Sequence, residues 1–461
     1  MSEQTKKDRD FSKMVMGIAL PIMVQNGITS FVNLLDNLMV GQVGTMQMSA
    51  VSIVNQLFFI FNLTVTGSLA GAGIYTSQFF GKKDTEGVQQ TVRFKIYIAT
   101  AVLLIAMVAF TGFGPQLIGL YLAEGDSRGR VSQTLGYALD YLHILMIGFI
   151  PFAYSGILSS TLRECGHTPL PMKAGVAAIL TNLVFNWLLI FGHLGLPRLG
   201  VNGAAIATVI SRFVEFFVMF IGIKLNREKY FYFNGLFNSF KIKPNLAKQI
   251  TLKGIPLLVN DSLWGTGTSM VVAAYASRGL HVVAAYNISN TVGNFFNSVF
   301  LAMGISASII IGHELGADRK EQAYDYATRL LKISVKVCLE LAVFIAATSL
   351  FVPNLYNTEP EVKALAAQFI IVYAFYSTIQ GYIFVSYNTL RSGGKTFITF
   401  LFDSGFVCCV TLPVAYCLTH FTALPILTCY ILVCCVDLIK VVLGTVLIRK
   451  KIWVVNMVSD R

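Results

Sequence analysis

Ala19–Gly44 reads ALPIMVQNGITSFVNLLDNLMVGQVG and places a single carboxylate, Asp36, in an otherwise uncharged apolar segment. No charged residue lies between Lys13 and Asp36, and none follows until Lys82. If this region spans a membrane, Asp36 lies within it, at a free-energy cost that some interaction must offset. Two readings follow. Asp36 is either a helix-end residue near the outer headgroups or a site for a cation or proton.

Composition sets the class. Of the 461 residues, 55% are hydrophobic and only 13% charged, with a mean hydropathy of +0.66. Such a chain is too apolar for a soluble globular protein and reads as a polytopic membrane protein. A span needs about 20 apolar residues, and about twelve such stretches are present. They begin near residues 13, 46, 94, 133, 170, 203, 250, 282, 330, 363, 396 and 424. Runs such as AVLLIAMVAF do not alternate in polarity, so helices are expected rather than a strand barrel. The opening MSEQTKKDRD is polar and has no small-residue cleavage site before the first apolar run, so no removable signal peptide is expected.

An even number of spans puts both termini on one side. With the N-terminus cytoplasmic, 27 of the 35 Lys and Arg fall on inner segments, and Arg128, Arg130, Arg198, Arg278 and Lys363 on outer ones. Arg212, Lys336 and Lys440 fall inside apolar runs. This positive-inside bias predicts a multi-pass protein of the cell (inner) membrane with both termini cytoplasmic. It also accounts for the net charge of +12, so no nucleic-acid partner is expected. The eight cysteines show no metal-ligand spacing and read as packing residues, and no metal site is expected.

The chain repeats itself. A shift of 235 residues aligns Pro21 with Pro256, Gly44 with Gly279, Asn55 with Asn290, Gly81 with Gly316 and Glu86 with Glu321 without a gap. The number of identities is modest; their positions persuade more. The prolines sit in the first third of a span and the glycines at loops. A shift of 228 matches TLRECGHT, Thr161–Thr168, with TLRSGGKT, Thr389–Thr396. Gly166 and Gly394 are expected to supply a turn there, with Arg163 and Arg391 holding the inner interface. Six spans per half give both halves the same orientation, related by a pseudo-twofold axis along the membrane normal. The predicted architecture is all-α: an N-lobe over residues 1–224, a cytoplasmic linker over 225–248 and a C-lobe over 249–461.

Together, the LLDNLMVGQVG segment, Gly81, the twin TLRxxGxT loops, Thr181 with Asn182 and Asn186, and NGAAIATVISR resemble the multidrug and toxic compound extrusion (MATE) family of secondary antiporters. The resemblance covers nearly the whole chain. It implies twelve helices in two six-helix lobes, and export of organic, often cationic compounds in exchange for protons or sodium ions. Position by position, it implies that Asp36, Asn182, Asn186 and Thr208 form an N-lobe cation site. Some relatives carry an aspartate where this chain has Asn186, which leaves Asp36 as the only carboxylate of that set. From the residues alone, Asn182 and Asn186 are an i, i+4 pair on one helix face. They serve either as ion ligands or as polar glue between helices.

Other charges inside spans divide in two. Arg212 with Glu215, and Asp437 with Lys440, are three apart and suggest neutralisation within one helix. Asp261 and Asp403 have no basic residue one turn away. The resemblance places Asp261, in VNDSLW, in a span where some branches carry an acid that bears on coupling. Asp261, Trp264 on the same face and Asp403 are therefore expected to contact substrate or the coupling ion in the C-lobe. No catalytic constellation occurs, so the chain is not expected to be an enzyme. Beyond a bound proton or sodium ion no cofactor is expected. The expected partners are a small organic cation and the lipid bilayer, with the chain acting as a monomer. The alternative is a lipid-linked oligosaccharide or lipid flippase of the same superfamily.

Overall fold

A computed structural model describes residues 3–41, 43–122 and 128–459, with side chains from residue 9 onward except at 30–38, 41, 45 and 128–130. The chain is all-helical. Its helices are α1 (Glu3–Gly41), α2 (Thr45–Gly81), α3 (Thr85–Gly119), α4 (Arg128–Glu164), α5 (Pro169–Phe191), α6 (Val201–Leu225), α7 (Pro244–Ala276), α8 (Leu280–Gly316), α9 (Lys320–Thr348) and α10 (Pro360–Ser392). They are completed by α11 (Thr396–Phe421) and α12 (Ile426–Arg449). Among the described residues, ten of these are long and apolar enough to cross a membrane. The other two fall short: α7 through the polar stretch Asn260–Ser269 around Asp261, and α9 through charges such as Lys332, Lys336 and Glu340.

Most helices overrun the predicted spans at their basic ends. The 37 residues of α2 extend roughly 55 Å at 1.5 Å per residue, well beyond about 30 Å of hydrocarbon. Two elements are irregular. α11 contains two π-helical turns, Leu401–Gly405 and Val407–Thr411, a rare form that concentrates at functional positions. α12 is interrupted at Asp437, between Ile426–Val436 and Leu438–Arg449.

By contact the chain divides into two compact units, one of residues 1–23, 74–84 and 248–461, the other of residues 24–73 and 85–247. Thus α1 begins in one unit and continues in the other, changing two residues after Pro21.

In the first unit, Phe11, Val15 and Ala19 form one stripe of α1. They are buried against Met303, Ile310 and Leu315 of α8 and Leu330 of α9. Close packing of this kind, more than loss of water, holds membrane helices together. The ends of α2 and α8 meet through glycine. A Cβ on Gly81 would lie 2.1 Å from the His313 carbonyl oxygen, and one on Gly316 would lie 1.8 Å from that of Gln78. Residues 78 and 81 are the 235-shift equivalents of 313 and 316, so the contact is reciprocal.

Past α12 the chain crosses beneath these ends as a strap. Trp453 is fully buried, and its carbonyl oxygen would meet a Cβ on Gly393 at 1.7 Å. The Gln78 amide donates to the Ser392 carbonyl at 2.9 Å, and its oxygen accepts from the Met457 N–H at 2.7 Å.

In the second unit, Lys95 is completely buried. Its ammonium pairs with Glu164 and lies 3.2 Å from both Ser160 Oγ and Thr161 Oγ1. Lys95 is among the basic residues counted on inner segments, yet it is enclosed within the helices rather than exposed. The segment after α6 is tied along α3. Arg93 donates to the Leu236 carbonyl at 2.9 Å, and the Tyr97 hydroxyl to that of Phe240 at 2.9 Å.

The twin loops have matching backbones. Gly166 and Gly394 both adopt left-handed conformations, φ 78° and 72°. His167 N–H bonds to the Leu162 carbonyl as Lys395 N–H does to that of Leu390. The expected turn is present in both copies.

Candidate functional site

The N-terminal candidates assemble on α5 and α6. Asn182 and Asn186, one turn apart, are both buried. The Asn186 amide donates to Asn182 Oδ1 at 3.1 Å, and the Asn182 amide donates to Thr208 Oγ1 at 3.3 Å. A relay of amides and hydroxyl thus joins the two helices and presents hard oxygens without charge. The Asp36 side chain lies outside the described residues, so its membership of this set stays an expectation. Nearby, Arg163 donates to Gln25 Oε1 on α1 at 2.7 Å. A link between that loop arginine and α1 was not visible in the sequence.

The C-terminal candidates converge differently. Asn260 of α7 is 2% exposed and sits between the two predicted aspartates. Its amide donates to Asp403 Oδ2 at 3.0 Å and reaches Asp261 Oδ1 at 3.5 Å, while its oxygen accepts from the Ser404 N–H at 3.3 Å. The Tyr387 hydroxyl of α10 also lies 3.5 Å from the Asn260 amide. Asp403 and Ser404 belong to the first π-helical turn of α11. The wider turn offers its Ser404 N–H to another helix's side chain, which ties the irregularity of α11 to the site. Trp264 is not drawn in. It is 43% exposed, and its place on the aspartate face brings it no recorded contact with either carboxylate.

The countercharges come from other helices. Arg391 of α10 is the basic group facing Asp261, and Lys440 of α12 the one facing Asp403. Lys440 and Asp437 were expected to neutralise each other within one helix. Their atoms approach to 3.6 Å with both side chains almost wholly buried, but the pair is not self-contained. The Tyr376 hydroxyl donates to Asp437 Oδ2 at 2.6 Å, and the Lys440 ammonium rests 5.1 Å from the centroid of Phe406. Burial at the α12 break therefore draws one ion pair into a network that spans α7, α10, α11 and α12. By contrast, Arg212 and Glu215 pair at 3.0 Å as expected, with Arg212 31% exposed.

Asn260, Tyr387, Tyr376 and the reach of Lys440 are what sequence reasoning missed. The one available signal was the position of Asn260 beside Asp261 in VNDSLW. A polar pair so placed in an apolar span requires partners.

The chain combines a proline within its first helix, an amide relay in α5 and α6 and an acidic cluster in α7 and α11. Residues 21–188 and 259–417 match the MatE family profile. The chain belongs to the MatE family. It is similar to the probable multidrug resistance protein NorM of Thermotoga maritima, 25% identical over 435 residues, covering 92% of this chain and 89% of that protein. The probable multidrug resistance protein YoeA of Bacillus subtilis is 23% identical over 413 residues, covering 88% and 87%. In fold, this MatE protein resembles a solved MATE structure in the bent conformation, with TM-score 0.84, 18% identity and 98% of each chain covered. It also resembles the outward-facing conformation of a multidrug resistance MATE family transporter of the MOP superfamily, with TM-score 0.83, 17% identity and 96% of each chain covered.

Proposed function

We propose that this MatE protein is a cation-coupled multidrug exporter that works by alternating access. Its lobes would be residues 1–224 and 249–461, joined by a cytoplasmic linker, in a monomer with both termini in the cytoplasm. Its substrates would be small organic cations, and its coupling ion a proton or sodium.

The observation that carries this reading is the Asn260–Asp403 contact within a buried, charged network. Three carboxylates, Asp261, Asp403 and Asp437, face two cations, Arg391 and Lys440. With all five ionised, one negative charge is left over in a low-dielectric interior. Such a charge is costly, and one monovalent cation or proton neutralises it. Exchange of that cation for a cationic substrate keeps the balance, and this competition is what coupling requires. In the N-lobe, Asp36 with Asn182, Asn186 and Thr208 would hold the ion in the same way. The change of unit close to Pro21 supports a role for α1 in moving between states.

The test is efflux of a fluorescent organic cation from proteoliposomes under a pH gradient and, separately, a sodium gradient. Wild type should respond to one gradient, and Asp36→Asn and Asp403→Asn should each lower the gradient-driven rate by at least about tenfold, which is 1.4 kcal/mol. If neither gradient moves any cation tested, the exporter reading fails and the flippase reading takes its place. A full rate in both variants would remove the two aspartates from the mechanism.

A further inference from the structure

At the basic end of α9, α10 and α12 lies a crevice of about 380 Å³ that plays no part in the network above. Its floor is apolar, with Leu331 and Ile448 both buried. One wall is polar: the Tyr382 and Thr445 hydroxyls are bonded at 2.6 Å. Lys332 and Arg449 stand at its mouth, both exposed. Among the described residues neither makes an ion pair, whereas Arg329, one turn before Lys332 on α9, pairs with Asp325 at 2.8 Å. A third cation, Lys451, lies over the ring of Tyr324, which also lines the crevice, at 4.5 Å from its centroid.

From this mouth both outer helices continue as apolar surface toward their other ends. Leu339 and Val343 on α9, and Val446 and Val442 on α12, are all exposed. Because the two helices run antiparallel, these residues lie on the same side of the crevice, along the direction an acyl chain takes into the bilayer.

We propose that this crevice binds the headgroup of an anionic glycerophospholipid. Its phosphate would sit between Lys332 and Arg449, its glycerol or headgroup hydroxyls against the Tyr382–Thr445 pair, and its acyl chains along α9 and α12. Basic residues at the inner ends of spans are general and would attract a negative surface without a particular site. What sets this place apart is concavity, two unpaired cations at one mouth and a hydroxyl wall, the features by which basic pockets between helices recognise lipid headgroups. The apolar continuation selects a lipid over a free phosphate ester. The inference does not depend on what the protein transports.

The experiment is native mass spectrometry of the full chain purified in detergent and exposed to equimolar phosphatidylglycerol and phosphatidylcholine. Wild type should retain phosphatidylglycerol at least about tenfold over phosphatidylcholine. The double variant Lys332→Gln/Arg449→Gln should lose that preference, while Lys229→Gln/Lys241→Gln, equal in charge and outside the crevice, should keep it. Equal retention of the two lipids by wild type overturns the proposal, and this comparison needs no variant to fold. So does a preference that survives the crevice variant or falls equally in the control. Displacement of the bound lipid by glycerol 1-phosphate at matching concentration would overturn it in favour of a free-anion site.

Discussion

A shift of 225 residues places Arg212 on Asp437 and Glu215 on Lys440, yet the first pair is a partly exposed ion pair and the second is almost completely enclosed. In both, the cation rests over a phenylalanine ring, Arg212 over Phe152 at 5.3 Å and Lys440 over Phe406 at 5.1 Å. The repeat has kept the register of the pair and reversed its order. The difference is in what surrounds it. α6 leaves Arg212 within reach of its own helix and solvent or headgroups, whereas the break in α12 turns Asp437 toward Tyr376 and Lys440 toward Asp403. The same contrast separates the two candidate sites: neutral amides on α5 and α6, charged groups on α7 and α11. One backbone plan has been given two electrostatic characters.

The largest effect should come from Lys440→Met. It removes the cation facing Asp403 and the ion-pair partner of Asp437, and it should cost about 3–5 kcal/mol. Arg212→Met, its counterpart, should cost about 0–1 kcal/mol, as exposed pairs do. Thermal unfolding of both in one detergent measures the gap, and a similar loss in each would erase the distinction. Adding Asp437→Asn to Lys440→Met should recover most of the loss.

An intermediate effect is expected for Asn260→Leu, which leaves a buried carboxylate oxygen and the Ser404 N–H without their partner. It should destabilise by about 1–3 kcal/mol and raise the concentration of coupling ion needed for half-maximal transport. An unchanged melting temperature would mean that the π-helical turn of α11 finds another donor for Asp403 and another acceptor for the Ser404 N–H.

Of the two buried amides, Asn182→Leu should have the smaller effect. It removes a neutral hydrogen bond between membrane helices, worth on average about 0.6 and at most about 1.7 kcal/mol. A loss as large as that of Asn260→Leu would show the amide relay to be structurally equal to the acidic cluster.

The helical class, the number of helices and both internal repeats were legible because each rests on local signals: apolar length, glycine at turns and proline inside spans. The repeat runs further than its identities suggest. Lys83 and Asp318, unlike in every chemical respect, are equivalent under the 235 shift and share a left-handed backbone, φ 62° and 60°. Asp318 is held below the usual carboxylate range by hydrogen bonds from Lys320 and Asn456, and Lys83 has no such role to fill. Residue identity could not reveal that match. Within the site, Asn182, Asn186 and Thr208 could be grouped because two lie on one helix face, and Asp261 with Asp403 because both lacked a local countercharge. Arg391, Lys440 and Tyr376 could not be assigned to them. Those contacts form between helices more than a hundred residues apart in some cases, and periodicity along a chain carries no record of which faces meet. The buried strap around Trp453 was illegible for a similar reason: a short tail of mixed polarity looks the same whether it is free or wedged beneath glycines.

The crossing of Gly81 and Gly316 has a meaning beyond close packing. Each glycine meets the carbonyl of the residue three before its partner, His313 for Gly81 and Gln78 for Gly316. Two identical subunits make contacts of this self-complementary kind when they form a closed dimer. Within this single polypeptide the ends of α2 and α8 meet in that same self-complementary way. The two sides are not identical: at equivalent positions one carries the amide of Gln78 and the other the imidazole of His313.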